Sequence, residues 1–251
     1  MGLQYLNSTN YTEAVNQFKL CKLSYDVLYN LGRAYRQYGQ SVKDKDKKLF
    51  QENMKLAAEQ FEEATKYKQD AMDAYFQLGM SYHDLELCPR AEAAFKKALQ
   101  ISPKDSAIYY QLGLIAIEQG YNREAEADFL EGLKINPDHV LILISLGRLY
   151  VKMRQVSSAI STLRQATQRD PAIWEGWYAL GRAHMAIKEW SQALSALAQG
   201  QQWNPDAPEI YSAMSLCYLK AKKKAEARQM VREALQRDPN NAEAIGVQKQ
   251  L

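Results

Sequence analysis

A chain of 251 residues with 47% hydrophobic and 24% charged side chains has an ordinary soluble composition and enough length to bury a large core. Its net charge of +3 argues against a generic nucleic-acid binder, which concentrates a stronger basic excess on one face. No apolar run approaches the roughly 18 residues of a membrane span. The three cysteines, Cys21, Cys88 and Cys217, lack metal-type spacing and leave one thiol over in any pairing, so they are expected to be reduced structural residues; the compartment stays open.

The predicted elements are phased by a repeat. Gly79, Gly113, Gly147 and Gly181 recur every 34 residues, as do Ala91, Ala125, Ala159, Ala193 and Ala227, and Pro103, Pro137, Pro171, Pro205 and Pro239. Three small or special residues in fixed phase over five units, with Ser215 standing in for the glycine in the fifth, signal a solenoid, which buries one continuous seam between neighbouring units. Units are counted from Met72, Ser106, Val140, Trp174 and Pro208, so that the glycine falls at position 8, the alanine at 20 and the proline at 32.

In chain order, residues 1–24 read as a partial unit. Gly2, Tyr5, Ala14, Phe18 and Cys21 fall at positions 8, 11, 20, 24 and 27, which leaves Met1 at position 7 and a first helix cut through its apolar stripe. That start is expected of an excerpt from a longer array, with any targeting segment outside the sequence. Asn7-Ser8-Thr9 and Asn10-Tyr11-Thr12 match the glycosylation pattern, but a polar inter-helix turn produces such triplets freely.

Residues 25–71 read as an irregular unit. Leu31, Gly32 and Tyr35 fit positions 7, 8 and 11, whereas Ala57, Phe61 and Ala64 fit positions 20, 24 and 27 only after an insertion of 13 residues within Tyr38 to Met54. The charged run from Lys43 to Lys48 predicts a longer loop feeding a second helix extended at its N-terminal end. A solvated helix end is the plain reading of it, and an added contact surface the sharper one, because insertions in repeats map to one face.

Residues 72–241 hold the five regular units. Position 4 carries Tyr75, Tyr109, Leu143, Trp177 and Tyr211, and position 7 carries Leu78, Leu112, Leu146, Leu180 and Met214. With position 11 they make one apolar stripe on a first helix. Ala91, Phe95 and Ala98 and their equivalents make a second stripe on a second helix, which the proline and its neighbouring Asp, Asn or Ser residues terminate. His184 takes position 11, where Tyr82 and Tyr150 stand in other units, and is expected in the core. Residues 242–251 place Gln248 at position 7, which favours a polar capping helix over the opening of another repeat.

The pattern of Trp or Tyr, Leu-Gly, Tyr, Ala, Phe, Ala and Pro at these positions resembles the tetratricopeptide repeat, over nearly the whole chain. The resemblance implies an all-α fold, a right-handed α-solenoid of stacked helix pairs. It also implies that the first helices line a concave face, with positions 2, 5, 6, 9, 12 and 13 pointing into it. The residues so placed are Tyr29, Phe76, Tyr110, Ile144 and Tyr178 at position 5; Asn30, Gln77 and Gln111 at position 6; and Arg33, Met80, Leu114, Arg148 and Arg182 at position 9. Rings for side chains, amides for an extended backbone and guanidinium groups for carboxylates suit a peptide groove. Tyr110, Arg148 and Tyr178 are expected at its centre. The clamp by which some relatives hold the acidic tail of heat-shock chaperones is not met, since position 2 carries Asp26, Asp73 and Glu175 and only Asn30 matches it.

Catalytic signatures are missing: there is no HExxH, GxSxG, phosphate-binding loop or dinucleotide fingerprint. The sequence therefore predicts a non-enzymatic scaffold with a protein or peptide ligand, no small-molecule substrate, no cofactor and no metal. A subunit that docks through its convex face or inserted helix is the alternative, and single-stranded RNA on the aromatic and arginine face a minor one.

Overall fold

In a computed structural model, residues 2–251 are described; Met1, assigned above to position 7, lies outside them. Fifteen α-helices and no strand occur among the described residues. They are α1 (Gly2–Asn7) and α2 (Tyr11–Lys19), α3 (Tyr25–Val42) and α4 (Lys47–Tyr67), α5 (Met72–Asp84) and α6 (Cys88–Ile101), and α7 (Ser106–Glu118) and α8 (Asn122–Ile135). Then follow α9 (Val140–Lys152) and α10 (Val156–Arg169), α11 (Trp174–Ala186) and α12 (Trp190–Trp203), α13 (Pro208–Lys220) and α14 (Lys224–Arg237), and α15 (Ala242–Gln248). The chain forms two compact units, one running to Asp128 and the other from Phe129 to Leu251. In each, helix pairs stack on one another, which is the all-α solenoid class that the repeat implies. No helix is long and apolar enough to cross a membrane among the described residues.

The pairs pack closely because position 8 is glycine, or in α13 the small Ser215, which is fully buried. A Cβ at Gly2, Gly32 or Gly79 would lie 2.8 Å from the ring of Phe18, Phe61 or Phe95, and one at Gly181 would lie 2.7 Å from Leu197. Position 24 of the second helix thus sits directly on the bare backbone of the first, where any larger residue would force the hairpin apart. Phe61, Phe95, Leu163 and Leu197 are among the fully buried side chains.

The turns repeat as strictly as the core. At position 15, between the two helices of a pair, Thr9, Glu86, Arg154, Lys188 and Lys222 adopt φ of 61 or 62° and Gly120 adopts 82°. This left-handed residue ends the first helix and redirects the chain. Only one of the six is glycine, so composition did not point to it. At position 31, the side chains of Asn136, Asp170, Asn204 and Asp238 each accept from the backbone N–H two residues on, at 2.9–3.2 Å. These Asx turns carry the chain past the proline into the next pair. Because nothing lies within 4 Å of a Cβ built at Gly120, replacing it by alanine changes only backbone strain. Gly120→Ala is expected to cost about 1 kcal/mol in chemical denaturation; a loss above about 3 kcal/mol would point to packing instead.

The insertion differs from its expectation. Instead of a long loop before α4, α3 itself continues to Val42 and only a short turn separates it from α4, whose N-cap Asp46 accepts from Leu49 N–H at 2.9 Å. Tertiary packing is the reason. Gly39 takes position 15 of this unit, yet it is buried in the helix, backed by Phe50, Asn53 and Met54, so the added turns of both helices bury an apolar seam of their own. The solvated charges are confined to the tip.

His184 is buried at the core position expected of it, with Nδ1 2.6 Å from Glu189 Oε2. Of the cysteines, all free, Cys21 is exposed, Cys88 half-buried and Cys217 buried. The segment from Asn241 forms α15, capped by Asn241 accepting from Ala244 N–H at 3.0 Å, and it packs on α13 and α14.

Candidate functional site

Positions 5, 6 and 9 of a helix lie within about one turn, so each first helix carries them on one face. In the unit running to Asp128, that face is built of half-buried rings tied to polar groups. Tyr29 stacks on Tyr25 with ring centroids 5.7 Å apart and leans on Phe61 at 5.8 Å, while the Arg33 guanidinium lies 5.9 Å from its centroid. Burial pushes the Tyr29 phenol above its ordinary pKa, with Asp73 adding to it. The Asn30 amide donates to Asp26 C=O at 2.7 Å, and its oxygen accepts from Arg33 at 3.2 Å. Phe76 meets Phe95 edge to face at 5.4 Å. Gln77, Met80, Tyr110, Gln111 and Leu114 are half-buried on α5 and α7.

Positions 12 and 13 hold neighbouring first helices together along the same face. Arg36 pairs with Asp84 at 3.2 Å, helped by Gln40 donating to Asp84 at 2.8 Å, and His83 meets Glu118 at 2.8 Å. Each bridge joins position 12 of one unit to position 13 of the next. Sequence reasoning placed these positions on the face but singled out none of the residues; opposite charges one repeat apart were the available signal.

In the unit from Phe129, the predicted residues separate. Ile144 is a correction: at 4% exposure it is core, with its Cδ1 3.6 Å from where a Cβ of Gly176 would stand. The resemblance points position 5 into the concave face, but here the bare Gly176 on the next first helix leaves room that the branched side chain fills. Arg148 is exposed and Tyr178 half-buried. The Arg182 guanidinium lies 6.0 Å from the Tyr178 ring and pairs with Glu243 at 2.6 Å, a partner that sequence spacing did not suggest. Tyr110 stands in the other unit from Arg148 and Tyr178.

A second feature lies off this face. A recess of about 200 Å³ is lined by Leu112, Ile115 and Tyr121 together with Glu92, Lys96, Glu124 and Asp128. Burial raises the Asp128 carboxyl from 3.8 to about 6; Lys96 opposes the shift, and Glu92 and Glu124 add to it. Between about pH 4 and 6 the folded chain therefore holds a proton that the unfolded chain has lost. The stability it contributes is complete below the unfolded value and is lost as pH rises through about 6. Asp128→Asn is expected to raise stability near neutral pH by about 1 kcal/mol, a figure reduced for partial exposure. Melting the two proteins across that pH range checks it: the gain should vanish toward the acid end. Among the described residues, no group of three or more His, Cys, Asp or Glu could hold a metal ion.

Models of the tetratricopeptide repeat match residues 48–106, 106–139, 141–173, 158–217 and 188–251. The chain belongs to the tetratricopeptide repeat family. Comparison with curated proteins by sequence returns no match. Among solved structures, this tetratricopeptide repeat chain is similar to YrrB, described as a TPR protein with an unusual peptide-binding site, at a TM-score of 0.60 and 21% identity over 76% of this chain and 99% of that one. It is similar to PilW, a type IV pilus biogenesis factor, at 0.72 and 16% identity over 86% and 98%. It is also similar to a chain of the APC/C hetero-tetramer Cut9-Hcn1, at 0.69 and 16% identity over 96% of this chain and 52% of that one. Identities this low establish the shared fold of the tetratricopeptide repeats.

Proposed function

We propose that the chain is a non-catalytic interaction scaffold that takes a peptide segment or partner protein along the face of its first helices, as part of a multiprotein assembly. The observation that carries this reading is the grouping of half-buried rings with guanidinium and amide groups on that face, as at Tyr29, Asn30 and Arg33 and again at Tyr178 and Arg182. Such amphipathic anchors, partly desolvated before binding, are what interface hot spots are made of. The peptide-binding site named for YrrB and the assembly named for Cut9-Hcn1 support the reading by analogy of fold.

The test is affinity capture read by mass spectrometry, with a face variant as control, followed by affinity measurement on the partner so identified. Changing Tyr110 and Tyr178 together to alanine is expected to weaken binding at least tenfold, about 1.4 kcal/mol, with helix content unchanged. Arg148→Glu should weaken an acidic partner further and flatten the salt dependence of its binding. Unaltered affinity in a folded double variant would reject this face and favour the outer helices or the hairpin tip around Lys43–Lys48. Retention on a nucleic-acid column with steep salt dependence would favour single-stranded RNA instead.

A further inference from the structure

Position 11 carries a ring in every unit but one. Tyr5, Tyr35, Tyr82, Tyr150 and Tyr218 stand there, with His184 on α11, whereas α7 has Ala116. Tyr82 shows what the ring does. It is buried, its hydroxyl donates to Glu62 on α4, and the guanidinium of Arg90 on α6 lies 5.7 Å from its centroid. One repeat later Lys96 takes the place of Glu62, Glu124 that of Arg90, and Asp128 that of Ala94. The ring is gone, the two charges are inverted and a carboxyl is added. The recess of about 200 Å³ lies where that ring would stand, and Leu112, Ile115 and Ala116 line it.

The fold does not require this arrangement. Asp128 is the one charged residue at position 23, which is Gln17, Gln60, Ala94, Thr162, Ala196 or Met230 in the other units. Its carboxyl resists ionising there, so near neutral pH it costs stability that a neutral residue would not. Lys96 is held by Glu92 at 2.6 Å. Among the described residues that line the recess, the three carboxylates of Glu92, Glu124 and Asp128 thus share one ammonium. An apolar floor under an excess of negative charge fits a side chain with a long apolar stem and a cationic head.

We propose that the recess between α6 and α8, where Ala116 stands in place of a ring and Asp128 and Glu124 supply carboxylates, binds an arginine side chain of a partner protein. The stem lies on Leu112, Ile115 and Ala116. The planar guanidinium donates in parallel to one carboxylate and reaches the second, and its face stacks on Tyr121, which is exposed at the rim. Lysine, a point charge, makes neither the forked nor the stacked contact. The site lies off the face of the first helices, and the inference does not rest on the reading of that face.

The probe is N-acetyl-arginine N-methylamide, titrated into the full chain and followed by the backbone amide shifts of α6, α7 and α8. The neutral isostere N-acetyl-citrulline N-methylamide is the control. Arginine is expected to bind at least about tenfold more tightly than citrulline, which leaves the carboxylates unpaired. Ala116→Tyr restores the ring of the other units, fills the recess and should abolish saturable binding with helix content unchanged. Asp128→Asn keeps the shape and should weaken arginine about tenfold. The pH profile has a definite sign. Burial raises the Asp128 carboxyl to about 6, Lys96 opposes the shift, Glu92 and Glu124 add to it, and the part of α7 that lines the recess is uncharged. Arginine binding should therefore weaken about tenfold from about pH 7 to about pH 5 in the parent and stay much flatter in Asp128→Asn. Equal binding of citrulline, retained binding in folded Ala116→Tyr, or a level profile in the parent would each overturn the proposal. If Ala116→Tyr did not fold, unweakened arginine binding by Asp128→Asn would overturn it alone. The tyrosine variants of the first-helix face are read on the captured partner, so either proposal can fail without the other.

Discussion

Replacing Phe95 by alanine is expected to lower stability by about 3–5 kcal/mol, the range for removing a large buried ring. Phe95 has no exposed surface, lies on the bare backbone of Gly79 and meets Phe76 edge to face. Its loss would leave a cavity between α5 and α6 that two rigid helices cannot close, and Phe76 would lose its support. The measurement is the urea midpoint at constant slope, with binding of the identified partner as a second readout. A cost below about 1 kcal/mol would mean that the pair collapses onto the gap and that position 24 is not its keystone.

Ala159→Leu is expected to cost about 1–3 kcal/mol by overpacking. Ala159 is fully buried on α10 in the cluster that holds Leu143, Leu163 and Ala166, and position 20 is alanine in all five regular units. The longer side chain has no direction in which to turn without pushing α10 away from its neighbours. Thermal melting of parent and variant decides the matter. Coincident melting curves would show that position 20 is not a close contact and that the register of the repeat is misread.

Much of the first-helix face was legible because it follows from helix geometry alone. Once Leu78 and Tyr82 are core at positions 7 and 11, Phe76, Gln77 and Met80 must project together to one side, and the structure places them on one helix face, half-buried. Ile144 broke the rule through a residue on another helix, since Gly176 opens the space that Ile144 fills. The bridges from Arg36 to Asp84 and from His83 to Glu118 were likewise invisible to a reading unit by unit. Their partners stand on successive first helices, where only the stacking decides which side chains meet.

The sequence by itself determined the helix pairs, their period, the small and large residues that meet within each regular pair and the places where second helices end. Those features rest on local chemistry repeated in phase: a residue without a side chain, a small one, a ring, a proline. Tertiary structure decided three things that no local pattern contains. It ran α3 on to Val42, because the added turns pack against Phe50 and Met54, and left only Lys43 to Asp46 of the charged run as a turn. It set left-handed residues such as Arg154 and Lys188 at turns where composition gave no glycine, because the packed helix pair over-determines the turn. And it laid Glu243 on Arg182, since an ion pair between side chains 61 residues apart exists only once the stacked helices have brought them within reach.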